Sequence, residues 1–176
     1  MSEKNDTDSH YHELSGKDGQ EKISELVKGI HIAMMTTVAK DGTMSSRPMA
    51  VQDEPFAGTL WFLTRNTSDK VEEIATDQHV TLTFAEPKDS KYITLKGRAS
   101  TQQDRAKIKE LWNPMYKAWF PGGEDDPEIT VLRVDVSEAD YWEASSSKVV
   151  LMAKYAVAAM SGGNMPVAEA GHIKVH

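Results

Sequence analysis

The sequence predicts a β-rich α+β fold, built as an antiparallel barrel or open sheet with helices inserted between strands. About six short segments carry the β-branched, apolar or alternating pattern of strands. Turn signals such as Asp41-Gly42 join neighbouring strands into hairpins. The helical segments do not alternate strictly with the strands, which argues against a doubly wound parallel sheet. A chain of 176 residues fits one such domain.

The N-terminal region predicts a tail followed by a helix. Residues 1–19 are polar and rich in turn formers, so we expect a mobile tail there. From Gln20 onward, apolar residues recur at helical spacing, namely Ile23, Leu26, Val27 and Ile30. This spacing predicts a short amphipathic helix that ends near Gly29.

A hairpin is predicted after this helix. The apolar and β-branched run Ile32–Val38 predicts a strand, and the turn at Asp41-Gly42 starts a second strand near Thr43. Pro48 lies within the second strand and has no N–H to donate to a ladder. We therefore expect a sheet edge, a bulge or a strand start at Pro48.

The middle of the chain predicts three strands and one helix. The strands cover residues 60–63, 79–84 and 92–99, and a helix with capping residues at its start covers residues 67–74. The first of these strands leads directly into the N-terminus of the helix. Gly97, inside the last strand, predicts a bulge or the close approach of another backbone.

The last third of the chain mixes helices, turns and strands. The pattern predicts helices over 106–112 and 148–160, a turn-rich insert over 114–123, a strand over 129–136 that continues at 141–143 after a break, and a small strand over 172–175. We expect one barrel domain over residues 20–145. The C-terminal helix and tail, 146–176, would pack on that barrel.

The composition excludes several classes of function. Twenty Lys and Arg against 27 Asp and Glu give a net charge of −7 with no basic block, so a nucleic acid is not expected as a partner. No cysteine is present, which removes disulfides, thiolate nucleophiles and Cys-ligated metals. The N-terminus does not resemble a signal peptide, and no apolar run reaches the roughly 20 residues that span a bilayer. These features predict a soluble cytoplasmic protein without a membrane partner.

The segment from Leu63 to Lys70 contains the first candidate site. Here a strand end leads into a helix start, where free N–H groups and the helix dipole attract an anion. The side chains that add hydrogen-bond donors are Thr64, Arg65, Ser68 and Lys70. A phosphate is the natural occupant, although a well-capped helix without a ligand explains the segment equally well.

Two other features are candidates for ligand contacts. Within Ser46-Arg47-Pro48-Met49, the guanidinium can hold a phosphate and the thioether offers a soft contact, whereas a surface Arg on an edge strand is the simpler interpretation. Aromatic residues also cluster late in the chain: Trp112, Tyr116, Trp119, Phe120, Tyr141 and Trp142. Their flat faces suit the core, a subunit interface or a planar ligand, and for Trp119 and Phe120 we favour a structural role.

Side-chain catalysis and metal binding lack candidates in this sequence. The six histidines lie mostly near the ends of the chain and form no convincing order with a serine and an acid. Adjacent acids such as Glu72-Glu73 are best explained as solvated charge. We therefore expect no metal site, and a cofactor would have to supply any chemistry.

Taken together, the motifs resemble those of a known family. The pyridoxamine-5'-phosphate-oxidase-like superfamily is similar in the order of these pieces: the first helix, the hairpin around Asp41-Gly42, S-R-P-M at 46–49, L-W-F-L-T-R-N-T-S-D-K at 60–70, Y-I-T-L-K-G-R-A at 92–99 and Y-W-E at 141–143. Within it, L-W-N-P-M-Y-K-A-W-F-P-G-G at 111–123 resembles the bacterial general stress protein family. The resemblance covers about residues 20–160.

The resemblance implies a split β-barrel that binds FMN at the interface of a homodimer. The cofactor-binding residues that it implies are Arg47, Pro48, Met49, Ala50, Val51, Leu63, Thr64, Ser68, Lys70, Trp112 and Trp142. Arg47 and the backbone of 49–51 would lie along the isoalloxazine ring and ribityl chain. Thr64, Ser68 and Lys70 would hold the phosphate. Trp142 and Trp112 would reach the flavin from the other subunit.

The sequence also departs from the oxidases of that superfamily. Gln52 stands where they have a Lys that serves the pyridoxal substrate, Tyr92 replaces a flavin-side Gln, and their C-terminal Arg and His have no match. A true pyridoxamine phosphate oxidase is therefore not expected. Two functions stay open: transfer of hydride or electrons from NAD(P)H through FMN to a small acceptor, and FMN binding or sensing under stress without turnover. A barrel that has lost its ligand is a third alternative, and the retained Arg47 and Lys70 argue against it.

Overall fold

Strands are the main secondary structure of the described residues. A computed structural model describes residues 11–52, 54–144 and 168–176. Its strands are β1 (Tyr11–Ser15), β2 (Ile32–Val38), β3 (Met44–Ala50), β4 (Thr59–Arg65), β5 (His79–Glu86), β6 (Lys91–Gln102), β7 (Ile129–Ala144) and β8 (Ala168–Lys174). The helices are α1 (Gly16–Val27), α2 (Asp69–Thr76), α3 (Arg105–Leu111) and a 3₁₀ helix (Pro114–Ala118). These elements confirm the predicted β-rich α+β class with peripheral helices. No helix in the described ranges is long and apolar enough to cross a membrane.

The eight strands belong to one sheet. Their order is β1-β8-β7-β6-β5-β2-β3, and β4 also pairs with β7. The first half of β7 pairs with β4 over residues 129–135, and its second half pairs with β8 over 138–144. The pairing of β1 with β8 is parallel, whereas the other pairings are antiparallel. The predicted antiparallel arrangement therefore holds for all but one ladder of the described sheet.

The predicted hairpin is confirmed as β2 and β3. Gly42 in its turn has φ 83°, a left-handed conformation that glycine adopts without steric cost. β3 is the last strand of the sheet order, so Pro48 lies on an edge strand, as its missing N–H requires. In the ladder, Pro48 faces Met34 and Arg47 faces Met35.

The predicted break before residues 141–143 is wrong, because β7 runs without interruption over 16 residues. A bulge replaces the break: β6 and β7 change register between Lys96 and Gly97, so that Ser137 is skipped. A Cβ on Gly97 would lie 2.3 Å from the Asp135 carbonyl oxygen. The expected close approach of another backbone at Gly97 is confirmed.

Both ends of the described chain differ from the expected tails. Residues 11–15 form β1 and residues 16–19 begin α1, so the prediction of a mobile tail is wrong for 11–19. Near the C-terminus, β8 lies between β1 and β7 as part of the sheet rather than packing on it. The strand predicted at 172–175 is confirmed over most of its length, whereas the helix predicted at 148–160 lies outside the described residues.

Two separate hydrophobic clusters stabilise the fold. The larger one fills the barrel and includes Phe62, Phe84 and Tyr141, each at most 2% exposed. The smaller one contains Ile108, Leu111, Phe120, Ile129 and Val131. It joins α3 to β7 and to the segment after the 3₁₀ helix. Burial of these side chains therefore anchors the insert beside the end of β4.

Candidate functional site

A cleft of about 350 Å³ lies where β3, the end of β4, the start of α2 and the 3₁₀ helix meet. Its volume is within the usual range for small-molecule sites. The residues that line it are Ile32, Pro48, Met49, Ala50, Leu63, Thr64, Arg65, Ser68, Lys70, Tyr116, Trp119 and Phe120. Seven of the eleven cofactor-binding residues expected from the sequence are among them: Pro48, Met49, Ala50, Leu63, Thr64, Ser68 and Lys70.

Hydroxyl and ammonium groups converge at the α2 end of the cleft. The Lys70 Nζ donates to Thr64 Oγ1 at 3.1 Å, and the Thr64 and Ser68 hydroxyl oxygens lie 3.3 Å apart. Ser68 is the N-cap of α2, but its hydroxyl donates to the Arg65 carbonyl at 2.8 Å instead of accepting from the first helical turn. The first N–H groups of α2 are thus left without a side-chain cap, a favourable setting for an anion.

Charge at this end of the cleft also favours an anion. Burial lowers the pKa of Lys70, and the nearby positive charge of Arg47 lowers it further, outweighing the opposite effects of Asp69 and Glu73. A half-buried cation beside a second cation is destabilised unless negative charge approaches it. A bound phosphate would supply that charge.

Arg47 lies behind this end of the cleft rather than in its lining. Its guanidinium Nη2 donates to Glu73 Oε2 at 2.8 Å, and Nη1 donates to the Thr37 hydroxyl. The Arg47 and Glu73 side chains are only 20% and 12% exposed. The structure therefore places Arg47 in a mostly buried ion pair between β3 and α2, next to Lys70. Direct contact between Arg47 and a ligand stays a prediction.

Three other predicted residues lie outside the lining. Val51 packs against the larger core cluster and donates its N–H to the His31 carbonyl at 2.9 Å. Trp112 belongs to the smaller cluster, where its ring centroid is 6.0 Å from that of Tyr116. Trp142 lies on the outer face of β7, half exposed. Its predicted contact is with a second subunit, and that contact stays a prediction.

Aromatic residues form a side of the cleft that was not among the expected cofactor-binding residues, and we call this side the aromatic wall (residues 114–120). Tyr116, Trp119 and Phe120 all face the cleft. Phe120 is buried in the smaller cluster, as its structural role predicts. Trp119 is 59% exposed, so it is not a core residue, and a role at a subunit interface stays a prediction for it. The density of aromatic residues at 112–120 is the only signal in the sequence, and it does not distinguish core from site.

The lining predicts which ligands suit the cleft. One end has Lys70, the two hydroxyls and the helix N-terminus, and apart from Arg65 the rest of the lining is apolar or aromatic. No Asp, Glu or His is among the lining residues, and the described ranges contain no group of three metal-binding side chains. The arrangement suits a planar aromatic ligand with a phosphate at one end. It offers little acid–base chemistry of its own.

Comparisons with known proteins agree with this architecture. The family model described as "Pyridoxamine 5'-phosphate oxidase like" matches residues 18–166. Protein bli-3 of Neurospora crassa is 29% identical over 150 residues, which cover 80% of this chain and 72% of that protein.

Solved structures are similar as well. A general stress FMN/FAD binding protein from Xanthomonas citri is 28% identical, with a TM-score of 0.64 over 74% of this chain and 92% of the other. A protein described as a general stress protein 26 from Jannaschia sp. CCS1 has a TM-score of 0.73 at 20% identity, over 89% and 98% of the two chains. These similarities confirm the predicted split-barrel fold.

Proposed function

The chain belongs to the pyridoxamine 5'-phosphate oxidase-like family, and on this premise we propose that it binds FMN in the cleft between β3, α2 and the aromatic wall. The observation that carries the proposal is the anion site at one end of an aromatic cleft. Thr64, Ser68 and Lys70 would hold the phosphate together with the uncapped N–H groups of α2. The similar Xanthomonas citri protein, described as FMN/FAD binding, supports a flavin as the ligand.

The rest of the cleft suits the flavin ring. Pro48, Met49 and Ala50 form one apolar side, and Tyr116 and Trp119 form the other. Aromatic side chains and flat ring systems stack favourably. Arg47 would act from behind the phosphate end, where the ion pair with Glu73 partly neutralises its charge.

We propose that the bound flavin serves an oxidoreductase. When bound, FMN would accept a hydride from NAD(P)H and pass electrons to a small acceptor. The absence of Asp, Glu and His from the lining favours chemistry carried by the cofactor. Flavin binding without turnover is the alternative. It is favoured by Gln52, which replaces the substrate-binding Lys expected in the oxidases and is hydrogen-bonded to Tyr116.

The protein would act as a homodimer. Five large apolar side chains on the outer face of the sheet are each 43–52% exposed. They are Tyr11, Ile32, Met34, Tyr92 and Trp142. Trp142 pairs across the ladders with Tyr92 on one side and Ala170 on the other, and Ala170 pairs with Tyr11. We call this group the apolar band. Ile32 also lines the cleft, so a second copy covering the band would reach the ligand and bring its own Trp142 there.

The phosphate assignment is tested by titrating FMN and riboflavin against the wild type and Lys70→Ala. Removal of a charge-assisted contact is expected to weaken FMN binding by about tenfold or more and to leave riboflavin binding unchanged. Quenching of flavin fluorescence measures both affinities. Lys40→Ala, an exposed lysine that pairs with Glu72, is the matched control and should change neither. Equal losses for FMN and riboflavin in Lys70→Ala would show that the phosphate lies elsewhere.

The redox role is tested on the FMN complex itself. Anaerobic addition of NADH or NADPH should bleach the flavin absorbance in a saturable manner. The reoxidation of the bleached complex by small acceptors would then identify the acceptor class. A complex that binds FMN tightly but is bleached by neither nucleotide would favour the binding or sensing function.

A further inference from the structure

Few hydrogen bonds hold the aromatic wall in place. It begins after Asn113, whose side-chain oxygen accepts the Met115 N–H at 3.0 Å. Within it, the N–H groups of Trp119 and Phe120 both donate to the Tyr116 carbonyl, at 2.9 and 2.8 Å. The wall is a short 3₁₀ turn and belongs to no ladder of the described sheet. Side-chain contacts must therefore set its position relative to the rest of the cleft.

Different contacts connect the two sides of the wall to the rest of the protein. On the side of β4, Arg65 donates to the Trp119 carbonyl at 3.0 Å, and the Phe120 ring is buried in the smaller cluster. On the side of β3, the Gln52 Nε2 donates to the Tyr116 hydroxyl at 3.0 Å. Within the described residues, this is the one side-chain hydrogen bond that joins the wall to residues 44–52.

The Gln52 bond connects the chain just after β3 to a residue that lines the cleft. Gln52 follows Ala50, a lining residue on the β3 side, by two positions, and Tyr116 lines the opposite side. The bond therefore ties the β3 side of the cleft to the wall. It also orients the Tyr116 ring. The hydroxyl accepts the amide N–H and keeps its own proton, which is available to an acceptor atom of a ligand.

We propose that Gln52 and Tyr116 form a latch that sets the width of the ring-binding half of the cleft, separately from its phosphate-binding half. The identity of the ring rests on the proposed flavin function. Gln52 is a positioning residue, which acts through Tyr116. The wall recognises a flat aromatic ring system whether or not a phosphate is attached. The Lys70 end recognises the phosphate whatever the ring.

The binding test uses Gln52→Leu and Tyr116→Phe, each of which removes one partner of the bond with little change in size. Each variant is expected to weaken FMN and riboflavin by a similar factor of about five, because a neutral hydrogen bond is lost and the wall loses its orientation. The ratio of the two affinities should not change. The double variant should lose little more than either single variant, since both remove the same interaction.

Gln103→Leu is the matched control, because Gln103 is exposed and lies away from the cleft. Four results would overturn the latch: a Gln52→Leu effect within twofold of the control, an effect confined to FMN, an effect confined to riboflavin, or additive losses in the double variant.

A second readout needs no ligand. Amide hydrogen exchange in residues 113–120 should speed up in Gln52→Leu and Tyr116→Phe but not in Gln103→Leu, because the wall opens more often without its bond to Gln52. Unchanged exchange overturns the latch even if affinities change. If the wild type binds neither flavin, the proposed function fails, and the exchange experiment still decides whether Gln52 holds the wall. Faster exchange with unchanged affinities would restrict Gln52 to a structural role and overturn its positioning role.

Discussion

At the scale of single residues, Arg47 shows what the sequence predicts and what only the structure reveals. The family resemblance implies that it contacts the ligand, which stays a prediction, and the structure adds an ion pair with Glu73. α2 contains two adjacent glutamates, Glu72 and Glu73. The sequence alone does not tell which of them forms the ion pair with the arginine. Their helical positions decide it: Glu73 faces β2 and β3, whereas Glu72 is exposed and pairs with Lys40.

The Glu73 carboxylate should make stability depend on pH. Burial raises its pKa, but the hydrogen bonds from Thr37 and Arg47 outweigh burial, so the pKa is lowered below its ordinary value. Because the pKa is lower in the folded state, the ionised carboxylate stabilises the fold at pH values above the unfolded pKa of about 4.3. This contribution is lost as the pH falls through the folded pKa. Glu73→Gln should therefore lower the free energy of unfolding by about 2–3 kcal/mol at pH 7. The difference from the wild type should shrink as pH falls below about 4.

Urea unfolding at several pH values measures this effect. Glu72→Gln is the matched control, because its salt bridge with Lys40 is exposed on both sides. Exposed pairs contribute little, so its effect should stay within about 1 kcal/mol at every pH. If the loss of stability in Glu73→Gln does not depend on pH, the charge of Glu73 is not the source of the stability.

At the scale of elements, the site divides into a part that the sequence predicts and a part that it does not. The junction of β4 and α2 is predictable because strand, cap and helix are adjacent in the chain. Thr64, Ser68 and Lys70 are then brought together by one turn of backbone. Such local geometry follows from residue type and spacing.

The aromatic wall is the part that the sequence does not predict. Its residues lie about 50 positions from Thr64 and Lys70 in the sequence, and they face the cleft because Phe120 is buried beside α3 and β7. The exposed Trp119 and the buried Phe120 are neighbours in the chain, with the same aromatic character. Only the packing of the smaller cluster decides which of the two is buried and which is exposed at the cleft.

The long strand β7 shows a related limit. Its sequence alternates over 129–136 and then changes phase, which suggests a break. The structure absorbs the change with a bulge opposite Gly97, so the strand continues. The bulge also lets β7 pair with β4 in its first half and with β8 in its second half. The element that joins the two parts of the sheet is therefore longer than its pattern predicts.

At the scale of the whole molecule, the apolar band predicts the dimer. A monomer would leave two aromatic side chains on neighbouring strands, Tyr92 and the Trp142 opposite it in the ladder, about half exposed to water. Apolar patches of this kind usually mark an interface. Sedimentation should give a mass of twice the 19.5 kDa chain at micromolar concentration. Met34→Glu, which places a charge in the band, should shift the protein to monomer and weaken FMN binding as well.

The control for this prediction is Met115→Glu. Met115 is 75% exposed but lies on the 3₁₀ helix rather than on the sheet face. It should leave the dimer intact. A wild type that sediments at a single chain mass would remove the proposed role of a second copy in the site, including that of Trp142.

The sequence by itself determined the fold class, the hairpin, the exceptional backbone positions of Pro48 and Gly97, and the grouping of Thr64, Ser68 and Lys70 where a strand leads into a helix. Each of these depends on residues that are close in the chain or on a conformational property of one residue type. Only the tertiary structure decided the pairing of Arg47 with Glu73, the place of β8 inside the sheet and the aromatic side of the cleft. These depend on which distant segments share a buried surface, and local pattern carries no record of that choice.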